Sequence, residues 1–380
     1  MTGLRGVALL VPWVAAAWLL TACAPAAPAA APAGPVPPAA GPAPASGGAA
    51  PSAAPTAATA ADPPAAEPVR FGVLSAATDA GIFIAQELGY FREQGVDLDL
   101  VPFDSAARMV APLGAGQLDA GGGSHSAGLF NAVARGIDLK LVADKGVSSP
   151  GHGFQALVFR KDLADSGRLR STADLRGLRV ALPARGITAE ASLERWLRAG
   201  GLGTDDVELT ELNFAEHGAA LSGQSVEAAI SIEPFLTFIV ERGIGVVHQR
   251  SDEFTPGYQL AEIIYSGQFA RDRAEAGRRF MIAYLKGVRY YDDAFDGGDA
   301  AKRQEAVAIL TRSTAVKDPA LYDRMVMPGL DPNGRLNVAS IAEDQDLWLA
   351  SGLQQARVNL DEVVDPSFTD AAVAALGPYR

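Results

Sequence analysis

Short apolar runs alternate with helical patterns from Val69 to Gln249, and the alternation occurs twice in the same order. No other feature limits the fold as tightly. "VRFGVL" (Val69–Leu74) reads as a buried strand. A helix follows, capped by Thr78 or Asp79, with Ile82, Ala85, Leu88 and Phe91 on one face. "VDLDLV" (Val96–Val101) is a half-buried strand. Next come a helix over Ala106–Ala115, a short strand near Asp119–Gly121, a helix to Arg135 and the strand "DLKLVA" (Asp138–Ala143). The second unit runs "LRVALP" (Leu178–Pro183), a helix capped by Thr188 and "VELTEL" (Val207–Leu212). A helix over Glu216–Ser222, a strand at Ala228–Ile232 and "IGVVHQ" (Ile244–Gln249) complete it. Pro234 suits the first turn of a helix between the last two strands. Such alternation implies mainly parallel sheets with right-handed crossovers.

An internal repeat supports the duplication. "GQLDAGGGSHSAGLFNAVARGI" (Gly116–Ile137) aligns without a gap on "GQSVEAAISIEPFLTFIVERGI" (Gly223–Ile244), with 8 identities in 22 positions. The expectation is two similar α/β lobes, residues 69–155 with 258–380, and residues 156–257. In such sheets the ligand edge is the carboxyl end of the strands, where helix N-termini gather. Two facing edges make a cleft, with Ser124, His125 and Ser126 on one wall and Ser231, Ile232 and Glu233 on the other. "YQLAEIIYS" (Tyr258–Ser266) reads as a strand returning to the first lobe, so the chain crosses twice, near Phe154–Arg160 and Thr255–Ile263. Phe280, Met281, Tyr284, Leu285, Val288, Tyr291 and Phe295 then form the core stripe of a long helix. Helices near Val338–Gly352 and Phe368–Leu376 complete the first lobe.

The first 68 residues read differently. Met1–Ala22 has one basic residue, Arg5, and an apolar run from Val7 to Leu20 too short for a comfortable membrane span. It reads as a signal peptide. "LTAC" at its end resembles the lipobox of bacterial lipoproteins, which implies cleavage before Cys23 and a lipid on its sulfur. Between Ala24 and Pro68 lie 13 Pro and 21 Ala, a composition with little to bury, expected as a disordered tether over residues 23–68. Cys23 is the sole cysteine, so internal disulfides, thiolate metal clusters and a Cys nucleophile within the folded part are excluded. The net charge of −12 disfavours nucleic-acid binding. Neither a phosphate-binding loop nor a dinucleotide fingerprint stands in strand–turn–helix context. Apart from His125, the histidines His152, His217 and His248 are too scattered for a metal site, and no cofactor is expected.

"AGIFIAQELGYFREQGVDLDLV", "LGAGQLDAGGG", "ARGIDLKLVAD" and "DLRGLRVALP" resemble the solute-binding proteins of ABC importers. The nearest group serves nitrate, sulfonate, taurine and thiamine-precursor pyrimidine uptake, and some relatives bind riboflavin. The resemblance runs from about Val69 to Gly377. It implies a two-lobed periplasmic-binding-protein type II fold with two hinge crossovers, acting as a monomer. It also implies an exported protein, on the periplasmic or extracellular face, that delivers a ligand to a permease and its ATPase. Catalysis is not expected; a pyrimidine-synthesising enzyme of the same fold is the alternative, and its Cys-rich motif is absent here.

By position, the first lobe offers Thr78, Asp79, Asp104, Ser105, Ser124, His125 and Ser126 to the cleft. The second offers Arg185, Ile187, Thr188, Asn213, Phe214, Glu233 and Phe235, and the crossover adds Phe154 and Gln155. Arg185 is the one basic residue in this set, whereas Asp79, Asp104 and Glu233 repel a small anion. The phenylalanines offer faces for a ring. The expectation is therefore a heterocyclic nutrient such as a pyrimidine or a flavin, ahead of sulfonate, taurine or nitrate. Plainer roles compete: Asp79 as a helix cap, Glu233 as a solvated acid, each Phe as core. If His125 and Glu233 line the cleft, replacing either weakens binding and spares the fold.

Overall fold

The computed structural model describes residues 66–379; the signal segment, Cys23 and almost all of the tether lie outside them. Among the described residues, ten strands form two five-stranded sheets. The strands are β1 (Glu67–Val73), β2 (Val96–Pro102), β3 (Ala120–Gly123), β4 (Leu139–Ser148) and β5 (Gln155–Arg160). They continue as β6 (Arg179–Leu182), β7 (Glu208–Glu211), β8 (Ala228–Ile232), β9 (Gly245–Arg250) and β10 (Tyr258–Ser266). The helices that matter here are α1 (Ala80–Glu87), α2 (Ala127–Ala134), α3 (Thr188–Ala199), α4 (Phe214–Ser222), α5 (Phe235–Glu241), α6 (Ala274–Phe295) and α7 (Val338–Ala350).

The first sheet has the order β2-β1-β3-β10-β4 and the second β7-β6-β8-β5-β9. The two orders are the same topology, so the repeat in sequence is a repeat in architecture. In each sheet the strand next to last comes from the crossing: β10 returns into the first sheet, and β5 enters the second. These strands run antiparallel to both neighbours, while β1 and β6 pair in parallel with theirs. Four of the five strands in each sheet thus run the same way, and only the crossing strand runs against them, because a strand arriving from the other lobe enters from the opposite end.

The chain leaves the first sheet after Ser148 and returns at Tyr258. The first crossing lies just ahead of Phe154–Arg160, whose last six residues are β5 itself. The two connecting segments are tied together: Ser148 Oγ donates to Ser251 Oγ at 2.7 Å and Gly257 N–H to Ser148 O at 2.6 Å. Glycine at 257 suits its left-handed φ of 79°.

Aromatic and aliphatic residues at helical spacing decide how the first sheet is covered. Phe280, Met281, Tyr284, Leu285, Val288 and Tyr291 of α6 are buried against α1 and the sheet, and Phe295 is half-buried. Gly81 lets α1 approach α6: a Cβ there would lie 2.7 Å from Val288 Cγ2. The second sheet buries Leu157, Phe159, Leu193, Trp196 and Leu197 on its α3 face.

Candidate ligand-binding cleft

The carboxyl edges of β3 and β6 bring α2 and α3 nose to nose. Ser126 caps α2, its Oγ accepting from Leu129 N–H at 3.0 Å. Ser126 and Ile187 form an isolated antiparallel bridge, and Ala127 N–H donates to Gly186 O at 2.8 Å. Gly186 has a left-handed φ of 68° that a side chain would strain. Arg185 folds back onto Glu190 in the first turn of α3. Thr188 is the first residue of α3 rather than its cap, and its Oγ1 donates to Leu260 O of β10 at 3.3 Å. Ser126, Arg185, Ile187 and Thr188 therefore meet where the two sheets' elements touch, and Ser124 is half-buried beside them.

His125, one residue before Ser126, is fully buried. Its Nδ1 lies 2.8 Å from Glu262 Oε1 and its Nε2 3.0 Å from Asp344 Oδ2. Burial alone would lower its pKa, but the charge of Glu262 and the bonds to both carboxylates raise it to about 10. Asp344, on α7, also accepts from Tyr258 Oη and pairs with Arg195 of α3 at 2.6 Å. The Arg195 guanidinium lies over the Tyr258 ring, 4.7 Å from its centroid. A continuous buried network thus runs from the first sheet through α7 to a helix of the second.

A second polar group sits at the carboxyl end of β1. Asp79 Oδ2 accepts from the amides of Leu74 and Ala76, each at 3.1 Å, which caps the turn before α1. Its Oδ1 lies 2.8 Å from the fully buried ammonium of Lys145, which also donates to Thr78 Oγ1 at 2.9 Å. Gly122 makes room for this lysine, since a Cβ there would stand 2.7 Å from Lys145 Cδ. Thr78 and Phe154 flank Gly146: a Cβ on that glycine would meet Thr78 Cγ2 at 3.2 Å and Phe154 Cζ at 3.4 Å. Phe154 clusters with Tyr258, Leu260 and Ile232. Gln155 Oε1 and Ser231 Oγ are buried there without a hydrogen-bond partner.

Glu233 is fully buried, not a solvated acid. Burial raises its pKa. Its Oε2 accepts from Thr237 N–H and Oγ1 at 3.0 and 2.7 Å, and its Oε1 from Val326 N–H at 3.3 Å. Arg250 stands 3.6 Å away. Asp104 is exposed and faces Arg108 at 3.6 Å, with Ser105 half-buried beside it. Asn213 is exposed at the start of α4, where its N–H donates to Glu216. Phe214 packs edge-on to His217 at 5.5 Å, and Phe235 is half-buried at the start of α5.

Every carboxylate on which the expectation of a heterocycle rested is therefore engaged inside the protein or turned to solvent. The sequence reading also passed over Lys145, Arg195, Glu262 and Asp344. One signal was present: charged residues inside runs that are otherwise apolar, as in "KLVADKGV" and "YQLAEIIYS". A buried charge persists only with a partner, so such residues mark a pairing elsewhere. A cavity of about 250 Å³ opens between α3 and α7, lined by Arg185, Glu190, Arg198, Thr204, Trp348 and Leu353 among others.

The model of the NMT1-like family matches residues 62–311. A protein of Escherichia coli (strain K12) named for binding aliphatic sulfonates is 26% identical over 223 residues. That match covers 58% of this chain and 63% of the relative, so the chain spans under two thirds of the relative's length. Among solved structures, the alkanesulfonate-binding protein SsuA from Xanthomonas axonopodis pv. citri, bound to MOPS, superposes with a TM-score of 0.63 at 20% identity. It covers 78% of this chain and 98% of that one. The periplasmic nitrate-binding protein NrtA from Synechocystis PCC 6803 reaches 0.69 at 16% identity, covering 83% and 90%.

Proposed function

The chain belongs to the NMT1-like family, and we propose that it is the solute-binding component of an ABC importer. It captures a small organic solute of the sulfonate type between its two lobes and presents it to a membrane permease driven by an ATPase. The observation that carries this reading is the pair of sheets of one topology whose carboxyl edges meet at Ser126, Ala127, Gly186 and Ile187. A cleft of that kind sequesters a ligand from water on both sides. Two relatives named for sulfonates point to the ligand class, and the internal neutralisation of Asp79 and Glu233 removes the objection to an anionic group. The chain performs no chemistry on what it binds.

A thermal-shift screen of the purified protein against alkanesulfonates, taurine, MOPS, nitrate, aminopyrimidines and flavins tests the reading. An organic sulfonate is expected to raise the melting temperature. A shift from an aminopyrimidine or a flavin alone would return the ligand to the heterocycles, and turnover of any bound compound would make the protein an enzyme.

The protein is held at the membrane by a lipid on Cys23, with the Ala/Pro-rich stretch as its tether. Cys23→Ser is expected to abolish incorporation of labelled fatty acid, and persistent labelling would rule the anchor out.

A further inference from the structure

Little apolar surface joins α3 to α7. Among the described residues of α3, only Ala191 enters the buried cluster that holds Ile341 and Trp348 of α7, whereas Leu193, Trp196 and Leu197 pack on their own sheet. Beside this contact lie the cavity lined by Arg185, Glu190 and Trp348 and a groove bordered by Arg195, Glu343 and Asp346. One alanine methyl buries too little to hold two helices together.

Charge is what crosses the seam. On the side of the first sheet, Glu262 and Asp344 are fully buried carboxylates that share one imidazolium, His125, at 2.8 and 3.0 Å. That cluster is one cation short. The missing charge arrives from the other sheet's helix: Arg195 of α3 stands 2.6 Å from Asp344 Oδ1, with 14% of its side chain exposed and none of the acid's. Its guanidinium covers the ring of Tyr258, where the chain re-enters the first sheet, and donates to the Tyr258 hydroxyl at 3.3 Å. Tyr258 donates in turn to Asp344. Swinging α3 away would leave two acids on one imidazolium, and Asp344 would have to recover its lost counter-charge from water. The other ion contacts between the halves are weaker. Glu343, 3.4 Å from Arg195, is exposed, and the pair of Arg324 with Glu241 of α5 is 44% and 39% exposed, so solvent screens both.

We propose that Arg195 is a closure latch. It holds the two lobes together through the chain's own charges, with no contribution from a ligand. The cleft is therefore mostly shut before a ligand arrives, and a ligand enters through a minority open form. Closing is then no longer charged against the binding step. This inference rests on the reading of two lobes about a cleft and adds what sets their equilibrium.

The test reads the width of the seam with spin labels at Arg198→Cys on α3 and Asp346→Cys on α7, in the full chain carrying Cys23→Ser and dialysed free of small molecules. Both positions are exposed, and their own ion pairs, with Glu194 and Arg357, do not cross the seam. The labelled parent is expected to show one short distance by electron–electron resonance. Adding Arg195→Met should raise the open, long-distance fraction about tenfold or more, because it removes the cation from a buried acid. Arg324→Met should leave the distribution unchanged. Circular dichroism melting checks that each variant folds. A parent that is already mainly open overturns the inference, as does an unchanged distribution in folded Arg195→Met or equal opening in Arg324→Met. If Arg195→Met does not fold, Asp344→Asn, which removes the acid that the arginine reaches, is judged by the same outcomes; if neither folds, the parent's distance decides. No ligand enters these measurements, so their failure leaves the importer reading to the thermal-shift screen.

Discussion

Glu262 and Asp344 grip His125 from opposite ring nitrogens, with no exposed surface on any of the three side chains. Its ring stands between two buried acids, so replacing it is expected to cost stability. His125→Ala leaves both carboxylates without this cation, a loss of about 3–5 kcal/mol of stability in urea denaturation. The pH dependence has a definite sign. In the fold the histidine is raised to about 10, against about 6.5 unfolded. Its stabilisation is complete below about 6.5 and is lost as pH rises through about 10. The stability difference between wild type and His125→Ala should shrink across that window; a difference that stays flat would mean the histidine is neutral in the fold.

The strand "AGGG" (Ala120–Gly123) is a poor strand by intrinsic preference, yet it lies buried at the centre of the first sheet. Space explains it. A Cβ on Gly122 would lie 2.7 Å from Lys145 Cδ, and one on Gly123 3.2 Å from Ala106 Cα. The strand is thin so that a lysine stem can cross one part of it and a turn can close over another. Gly122→Ala is expected to displace Lys145 from Asp79 and cost about 1–3 kcal/mol, as overpacking does. Thermal melting reads this directly, and an unchanged melting temperature would mean the lysine has slack that the packing does not suggest. The glycine run is visible in the sequence, but its reason is a side chain more than twenty positions away.

At the scale of the molecule, the two sheets share one topology and are linked by two crossings tied to each other through Ser148, Ser251 and Gly257. Arg195 of α3 reaches Asp344 of α7, so an ion pair with little exposure joins helices packed on different sheets. Local information carried a good part of this. Strand and helix periods, the repeat of Gly116–Ile137 at Gly223–Ile244 and the stripe on α6 are patterns of neighbours, set by how side chains at fixed spacing share one face. From them the chain by itself determined an α/β architecture in two matched halves, and the edges where a cleft would form. The antiparallel entry of β5 and β10 was not legible, because it depends on which sheet a crossing strand joins. Nor were the partners of the buried charges. His125 meets Glu262 and Asp344 across 137 and 219 positions, and Lys145 meets Thr78 across 67. A charge in a water-excluded interior must find an opposite charge in space, wherever the chain brings one, and no spacing along the sequence encodes that meeting. Tertiary structure alone decided which acids are neutralised.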